Sequence, residues 1–166
     1  MRILKLIIIS IISLLLIITI ISLFIPSNLR IARAVHISSS KETVMEQLTN
    51  PVKWKNWYPD ADSAKFFYAG GTIKGLVLDE EKSRFLTLAK INNDEVVAEY
   101  HLPNKKIITG WQVTPSIDTS SVTVQWYMDF HLRWYPWEKF SSFVFEKIYN
   151  PQLEKGLNSL KKLLEK

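Results

Sequence analysis

The stretch "RFLTLAKINNDEVVAEYHLPNKKIITGWQVTPSIDTSSVTVQWYMDFHLRW", Arg84 to Trp134, alternates apolar and polar residues between clusters of turn formers. That pattern predicts an antiparallel meander. A reversal at Asn93-Asp94 sets Ala89 opposite Ala98, Thr87 opposite Tyr100 and Phe85 opposite Leu102. A second, across Pro103 to Lys106, sets Leu102 against Ile107, Tyr100 against Thr109 and Ala98 against Trp111. A third, over Thr114 to Thr119, sets Trp111 against Val122, Thr109 against Val124 and Ile107 against Trp126. Directly opposed residues share a face, so one face collects Phe85, Ala89, Ile91, Val96, Ala98, Tyr100, Leu102 and Ile107. The same face continues with Trp111, Val113, Val122, Val124, Trp126, Met128 and Phe130. Glu95, Glu99, His101, Thr123, Gln125, Tyr127, Asp129 and His131 fall on the other, which is the wet side of the sheet.

Three more strands precede the meander's second half: Leu29 to Ile37, then Ala64 to Ala69 and Thr72 to Leu78 joined through Gly70-Gly71, a favourable hairpin turn. Two short helices lie between the first of these and the second. Ser39 with Glu42 three residues on reads as a capping box for the first, and Asn50 caps the second with Pro51 at its first position. Trp54 and Trp57, three apart, share one flank of that second helix. At the end of the chain Trp137, Phe140, Val144 and Ile148 recur at helical spacing. Asn150-Pro151 is expected to kink or restart the helix, after which Leu153, Leu157, Leu160 and Leu164 continue the stripe. Gly156 sits on that stripe, where a helix-interior glycine costs about 1 kcal/mol relative to alanine; its return is close approach to the sheet.

Leu6 to Ile25 carry no charge. At about 1.5 Å per residue the run spans roughly 30 Å, the thickness of a bilayer's hydrocarbon core. It reads as a transmembrane anchor; a cleaved signal would need a shorter apolar stretch and small residues in an A-x-A-like pattern, which "SLFIPSNLR" lacks. Residues 1–26 are therefore assigned to a cytoplasmic tail and anchor, and 27–166 to one domain. Arg2 and Lys5 flank the run on one side, Arg30 and Arg33 on the other; a very short basic tail favours the cytoplasm, which places the domain outside it. The chain's net charge is +5, which falls to +3 for the domain once Arg2 and Lys5 are set aside, and it has no cysteine. The first is too mild and evenly spread for nucleic acid, and the second excludes a disulfide framework, a thiolate metal site and a cysteine nucleophile.

This order of elements resembles the helix-grip (START-like, SRPBCC) superfamily, and within it the membrane-anchored polyketide cyclase/dehydrase-like group. The resemblance rests on "VHISSSKETVMEQLTNPVKWKNWYP" near the start and "LEKGLNSLKKLLE" at the end. It implies an α+β fold in which a curved antiparallel sheet of about seven strands wraps a long C-terminal helix and leaves a hydrophobic cavity between them. It also implies that the two short helices plug one end of the grip. Trp54, Trp57 and Tyr58 are then core aromatics, with Trp57 or Tyr58 reaching a ligand at the cavity mouth as the sharper reading.

A search for catalytic groups finds three histidines, His36, His101 and His131. His101 with Glu99, and His131 with Asp129, lie on the wet face and read as solvated pairs. No H-E-x-x-H, G-x-S-x-G or phosphate-cradling loop is present. The polar groups assigned to the cavity side are Thr87, Tyr100, Thr109 and the indoles of Trp111 and Trp126, a lining suited to orienting a greasy ligand. The expected lining is Trp57, Tyr58, Tyr100, Thr109, Trp111, Val124, Trp126 and Met128, covered by Phe140, Val144, Leu153 and Leu157 of the last helix. The expectation is a membrane-anchored, non-catalytic binding protein for an apolar small molecule or lipid, without metal or cofactor. Two alternatives stand beside it: a cyclase-, dehydrase- or hydrolase-type enzyme on an apolar substrate, and an interaction module whose cavity its own side chains fill. The segment "RWYPWEKFSSFVF", Arg133 to Phe145, reads either as core packing of the last helix or as a lid or surface that dips into a membrane interface.

Overall fold

The computed structural model describes residues 2–81, 83–117 and 120–166. Its elements run α1 (Arg2–Leu23), β1 (Asn28–Ile37), α2 (Lys41–Thr49), a 3₁₀ turn (Lys53–Asn56), β2 (Lys65–Ala69), β3 (Thr72–Asp79), β4 (Arg84–Ile91), β5 (Glu95–Leu102), β6 (Lys105–Pro115), β7 (Val122–His131) and α3 (Pro136–Leu164). The seven strands form one antiparallel sheet in the order β1-β7-β6-β5-β4-β3-β2. β1 closes onto β7 along ten residue pairs, from Asn28↔His131 to Ile37↔Val122. α3 packs across β1 and β7, so the fold is a helix grip.

The meander is where it was predicted, with three corrections of register. β6 and β5 are joined by a tighter turn than expected, pairing Leu102 with Lys105 and Tyr100 with Ile107. β6 and β7 extend further into their loop, pairing Trp111 with Trp126 and Val113 with Val124; Asp118 and Thr119, in the expected third reversal, lie outside the described residues. These slips are of two and four residues, and because strand side chains alternate with period 2 they leave every face intact. Between β4 and β5 the slip is one residue. A bulge between Leu88 and Lys90 sets Leu88 opposite Ala98, Leu86 opposite Tyr100 and Phe85 opposite His101. An extra residue in one strand reverses the facing of everything beyond it. Leu86 and Leu88 therefore turn inward, while Phe85 stacks outside on His101 at 4.2 Å and Thr87 Oγ1 lies 3.2 Å from His101 Nε2.

Two local expectations also change. α2 begins one residue later than predicted, so its cap is Ser40, whose Oγ accepts from Thr43 N at 3.3 Å. Asn50 does start the next turn, its Oδ1 accepting from Val52 N at 3.0 Å. α3 is uninterrupted through Pro151. From Ile148 to Leu153 a continuous helix advances by five residues, or about 140°. The two apolar stripes that flank Pro151 consequently point in nearly opposite directions. Leu153, Gly156, Leu157 and Leu160 are buried against the sheet, whereas Trp137, Phe143, Val144 and Ile148 are exposed.

α1 is not loosely tethered. Lys139 of α3 is only 4% exposed, and its Nζ donates to Ile25 O at 2.6 Å and to Ser27 Oγ at 2.8 Å. Leu132 N donates to Ser27 O at 2.7 Å on the opposite flank. The segment leaving the apolar helix is thus gripped by the domain from both sides.

Candidate functional site

The interior between sheet and helix begins with a cross-strand pair. Trp111 on β6 and Trp126 on β7 are register partners with ring centroids 5.5 Å apart. The 3₁₀ turn and the residues after it lower three more rings onto them: Trp54 lies 5.6 Å from Trp111, Trp57 lies 5.5 Å from Trp111, and Tyr58 lies 5.2 Å from Trp126. These are contact distances for offset and edge-to-face rings, so this end of the grip is filled. α3 reaches it because position 156 has no side chain. A Cβ there would lie 2.3 Å from Trp126 Cζ3 and 2.9 Å from Pro59 Cδ.

Hydrogen bonding within the plug is unequal. Trp54 Nε1 donates to Leu48 O at 2.8 Å, and Trp126 Nε1 donates to Thr109 Oγ1 at 2.8 Å, which in turn donates to Tyr127 O at 2.8 Å. Trp57 Nε1, Trp111 Nε1 and the Tyr58 hydroxyl are buried without a partner. The Tyr58 hydroxyl is turned toward Gln152 of α3 but makes no hydrogen bond of ordinary geometry. A buried polar group left unmade costs about 1–3 kcal/mol. Burial pushes the Tyr58 hydroxyl far above the usual phenol range, with Tyr100 and Asp60 adding in the same direction.

Beyond the plug the interior loosens. Inward-facing Leu78, Leu88 and Leu102 on β3, β4 and β5 are only half-buried, as are Phe145 and Tyr149 on α3. Phe145 and Tyr149 rest on Phe130 at 5.0 and 4.8 Å. Arg84 stands at the rim: its Nη2 donates to Asp79 Oδ2 at 3.0 Å and it lies within reach of the Tyr100 hydroxyl, while its Nε is buried and unpartnered. Tyr149 is raised by burial and by Tyr100. Tyr58, Tyr100, Tyr149 and Arg84 thus lie close to one another, a sparse polar cluster beside these half-buried apolar side chains.

Ten of the twelve residues predicted to line the site are brought together and buried: Trp57, Tyr58, Tyr100, Thr109, Trp111, Val124, Trp126, Met128, Leu153 and Leu157. Phe140 and Val144 are not among them. They lie on the outward face of α3, because the helix passes through Pro151 without the restart that would have turned them in. Thr87, assigned to the cavity side, is outside for the bulge's reason. Leu88, Arg84, Tyr149 and Gln152 went unrecognised; only the position of the bulge could have shown the first, and α3's phase the last two.

The outer face is a separate network. Arg30 pairs with Asp129 through two bonds of 2.6 and 2.7 Å and lies 4.1 Å over the Tyr127 ring. Tyr127 donates to Glu95 Oε1 at 2.8 Å, and its ring occupies the place a side chain at Gly110 would take. His101 Nε2 lies 3.3 Å from Glu99 Oε2, and His131 Nδ1 lies 2.9 Å from Asn28 Oδ1. The predicted pairing of His131 with Asp129 is replaced by the Arg30 pair. These histidines and carboxylates face away from the interior between sheet and α3.

Solved structures share the fold. A START superfamily protein from Mycobacterium smegmatis aligns with a TM-score of 0.61 at 14% identity, covering 82% of this chain and 97% of its own. The Zhui aromatase/cyclase from Streptomyces sp. R1128 aligns at 0.59 and 12%, covering 83% and 94%. Truncated norcoclaurine synthase from Thalictrum flavum aligns at 0.59 and 11%, covering 82% and 92%. At these identities the likeness is one of fold. No curated protein matches by sequence. Residues 28–165, the whole of the grip from the start of β1 to the end of α3, match the family described as polyketide cyclase / dehydrase and lipid transport, and the chain belongs to that family.

Proposed function

We propose that this protein is a membrane-anchored binding protein for an apolar small molecule or lipid, without catalysis of its own. The observation that carries this reading is the chemistry of the interior: among the described residues no histidine or carboxylate is buried, and the polar groups around Tyr58 and Tyr100 are hydroxyls, indoles, the Gln152 amide and the guanidinium of Arg84, which is held by Asp79. General acid–base work needs a positioned proton donor or acceptor with a pKa near the working pH. Tyr58 is pushed the opposite way. Half-buried leucines and a phenylalanine beside Tyr58, Tyr100 and Arg84 suit a ligand with an apolar body and one hydrogen-bonding end.

In this reading residues 1–26 form the cytoplasmic tail and anchor, α1 spans a bilayer, and residues 27–166 lie outside the cytoplasm. α1 is long and apolar enough to cross. A phosphatase fused after Lys166 should be active and a fluorescent protein there dark; the reverse pattern would put the domain inside, and a mature chain beginning near Ser27 would make α1 a signal.

The binding test is lipid extraction and mass spectrometry of the full-length protein purified from membranes, with Tyr58→Phe alongside. An apolar species should co-purify in stoichiometric amount and be lost or weakened in Tyr58→Phe, while the variant remains as stable as the parent. A folded parent that retains no apolar molecule and quenches no tryptophan fluorescence with added fatty acid would leave the filled-interior reading in its place. Conversion of the added ligand would restore the enzyme reading.

A further inference from the structure

We propose that the first half of α3, with Trp134 beside it, is inserted into the bilayer next to the protein's own anchor, so that phospholipid acyl chains cover its outward face. This rests on α1 spanning the membrane. Trp134 is 64% exposed and Trp137 and Phe143 each 71%, and Phe140, Val144 and Ile148 complete the same outward surface. Its inner side is taken already, by Phe145 and Tyr149 on Phe130 and by buried Lys139 and Ser142. A helix apolar on both sides needs two apolar neighbours, and the sheet supplies one.

The position of α1 identifies the other. Leu15, Ile18 and Thr19 line a groove of about 430 Å³ together with Trp134, Tyr135, Pro136, Trp137 and Phe140. Thr19 lies four residues and Leu15 eight residues before the end of α1 at Leu23, which is about 6 and about 12 Å along a helix. A spanning α1 holds those residues within the bilayer, and whatever touches them is held at the same depth. The Lys139 bonds to Ile25 O and Ser27 Oγ fix this arrangement. The chemistry agrees with the depth. Trp134, Tyr135 and Trp137 follow one another with neighbouring ring centroids 4.9 Å apart, amphipathic rings of the kind enriched where a protein meets lipid. Of the charged residues beside this face, Arg133 and Lys147 have stems long enough to carry their charge to the interface, and Glu146 lies with Phe143 next to Ile25 and Pro26, past the end of α1.

The natural chain has no cysteine, so single nitroxide labels can be attached at Ile12→Cys, Phe143→Cys and Asn158→Cys in full-length protein reconstituted into phosphatidylcholine vesicles. Accessibility to oxygen, which concentrates in lipid, is compared with accessibility to a water-soluble nickel chelate. The oxygen-to-nickel ratio at Phe143→Cys should approach that at Ile12→Cys and exceed that at Asn158→Cys several-fold. A ratio at Phe143→Cys as low as at Asn158→Cys, with Ile12→Cys still in lipid, would overturn the insertion and leave the anchor standing. Nickel access at Ile12→Cys would overturn the anchor itself. Dipolar broadening between Phe143→Cys labels would assign the face to a second copy of the chain and overturn the proposal equally.

Discussion

From Pro136 to Asn150, α3 turns Trp137, Phe140, Phe143, Val144 and Ile148 outward, whereas from Pro151 to Leu164 its outward positions are Glu154, Lys155, Asn158 and Lys162. Both halves belong to one helix with one axis. Both carry an apolar residue every three or four positions. The second half uses its stripe to hold the sheet, and the first presents its stripe to the outside while a different set, Phe145 and Tyr149, holds the sheet. Helical periodicity reports that a face is apolar and leaves open what covers it; the covering is decided by the phase at which one stripe meets the next.

A pair of truncations, one on each stripe, should separate the two halves by the largest margin. Leu157→Ala should cost about 2–5 kcal/mol, the range for emptying a packed core site, and Val144→Ala in detergent should stay within about 0.5 kcal/mol. Chemical denaturation of the full-length protein in a mild detergent reads both, and equal losses would mean that the first stripe is buried after all. Next in size is Gly156→Ala. Alanine is the better helix former by about 1 kcal/mol, but its Cβ would overlap the Trp126 ring, so a net loss of about 1–3 kcal/mol is expected. A raised midpoint in the same melt would mean that α3 stands off the sheet.

Lys139→Met keeps the stem and removes the ammonium. The carbonyl of Ile25 and the hydroxyl of Ser27 lose their charged donor, a loss of about 1.5–3 kcal/mol where such bonds are intact. Limited proteolysis around Pro26 should become faster while the grip's own melt changes less; unchanged cleavage would show that the anchor is held by other contacts. No loss at all is expected at neutral pH for Tyr58→Phe, which should leave stability equal or raised because the buried hydroxyl it removes has no partner. Its signature lies at high pH. Tyr58 and Tyr127 are both raised, Tyr58 by burial and Tyr127 by burial and by its bond to Glu95. Their contribution is complete below the unfolded tyrosine pKa of about 10 and is lost as pH rises beyond it, because the unfolded chain then releases protons that the folded chain keeps. Stability should fall above that pH in the parent and fall less steeply in Tyr58→Phe.

Much of this was legible in the residues. Alternation along β5, β6 and β7 placed Val96, Ala98, Tyr100, Trp111, Val124 and Trp126 on the correct face even though one turn was set too wide and the next too early in the chain, because a slip by an even number of residues preserves facing. The same parity argument explains the failure in β4, where one additional residue near Ala89 exchanged Leu86 and Leu88 for Phe85 and Thr87. Nothing in "LTLAKINN" marks a bulge by type, and the strands that hold β4 in place, such as β3 where Gly75 lets the Leu86 backbone approach, are contacts between distant segments. Gly156 was readable as a close approach because its place among leucines had no other return. Phe140 and Val144 were misplaced because proline inside a helix can bend it or be tolerated, and only the surrounding contacts decide.

The Lys139 clasp sets how far the domain can travel. A grip on a flexible tether sweeps a volume of solution, but here the apolar helix ends at Leu23, the first strand begins at Asn28, and the intervening carbonyl and hydroxyl are held by α3 and β7's continuation. With α1 in a bilayer, the domain has almost no vertical reach. On the proposed reading it searches by lateral diffusion in two dimensions, and any ligand it binds comes from its own leaflet or is brought to that surface.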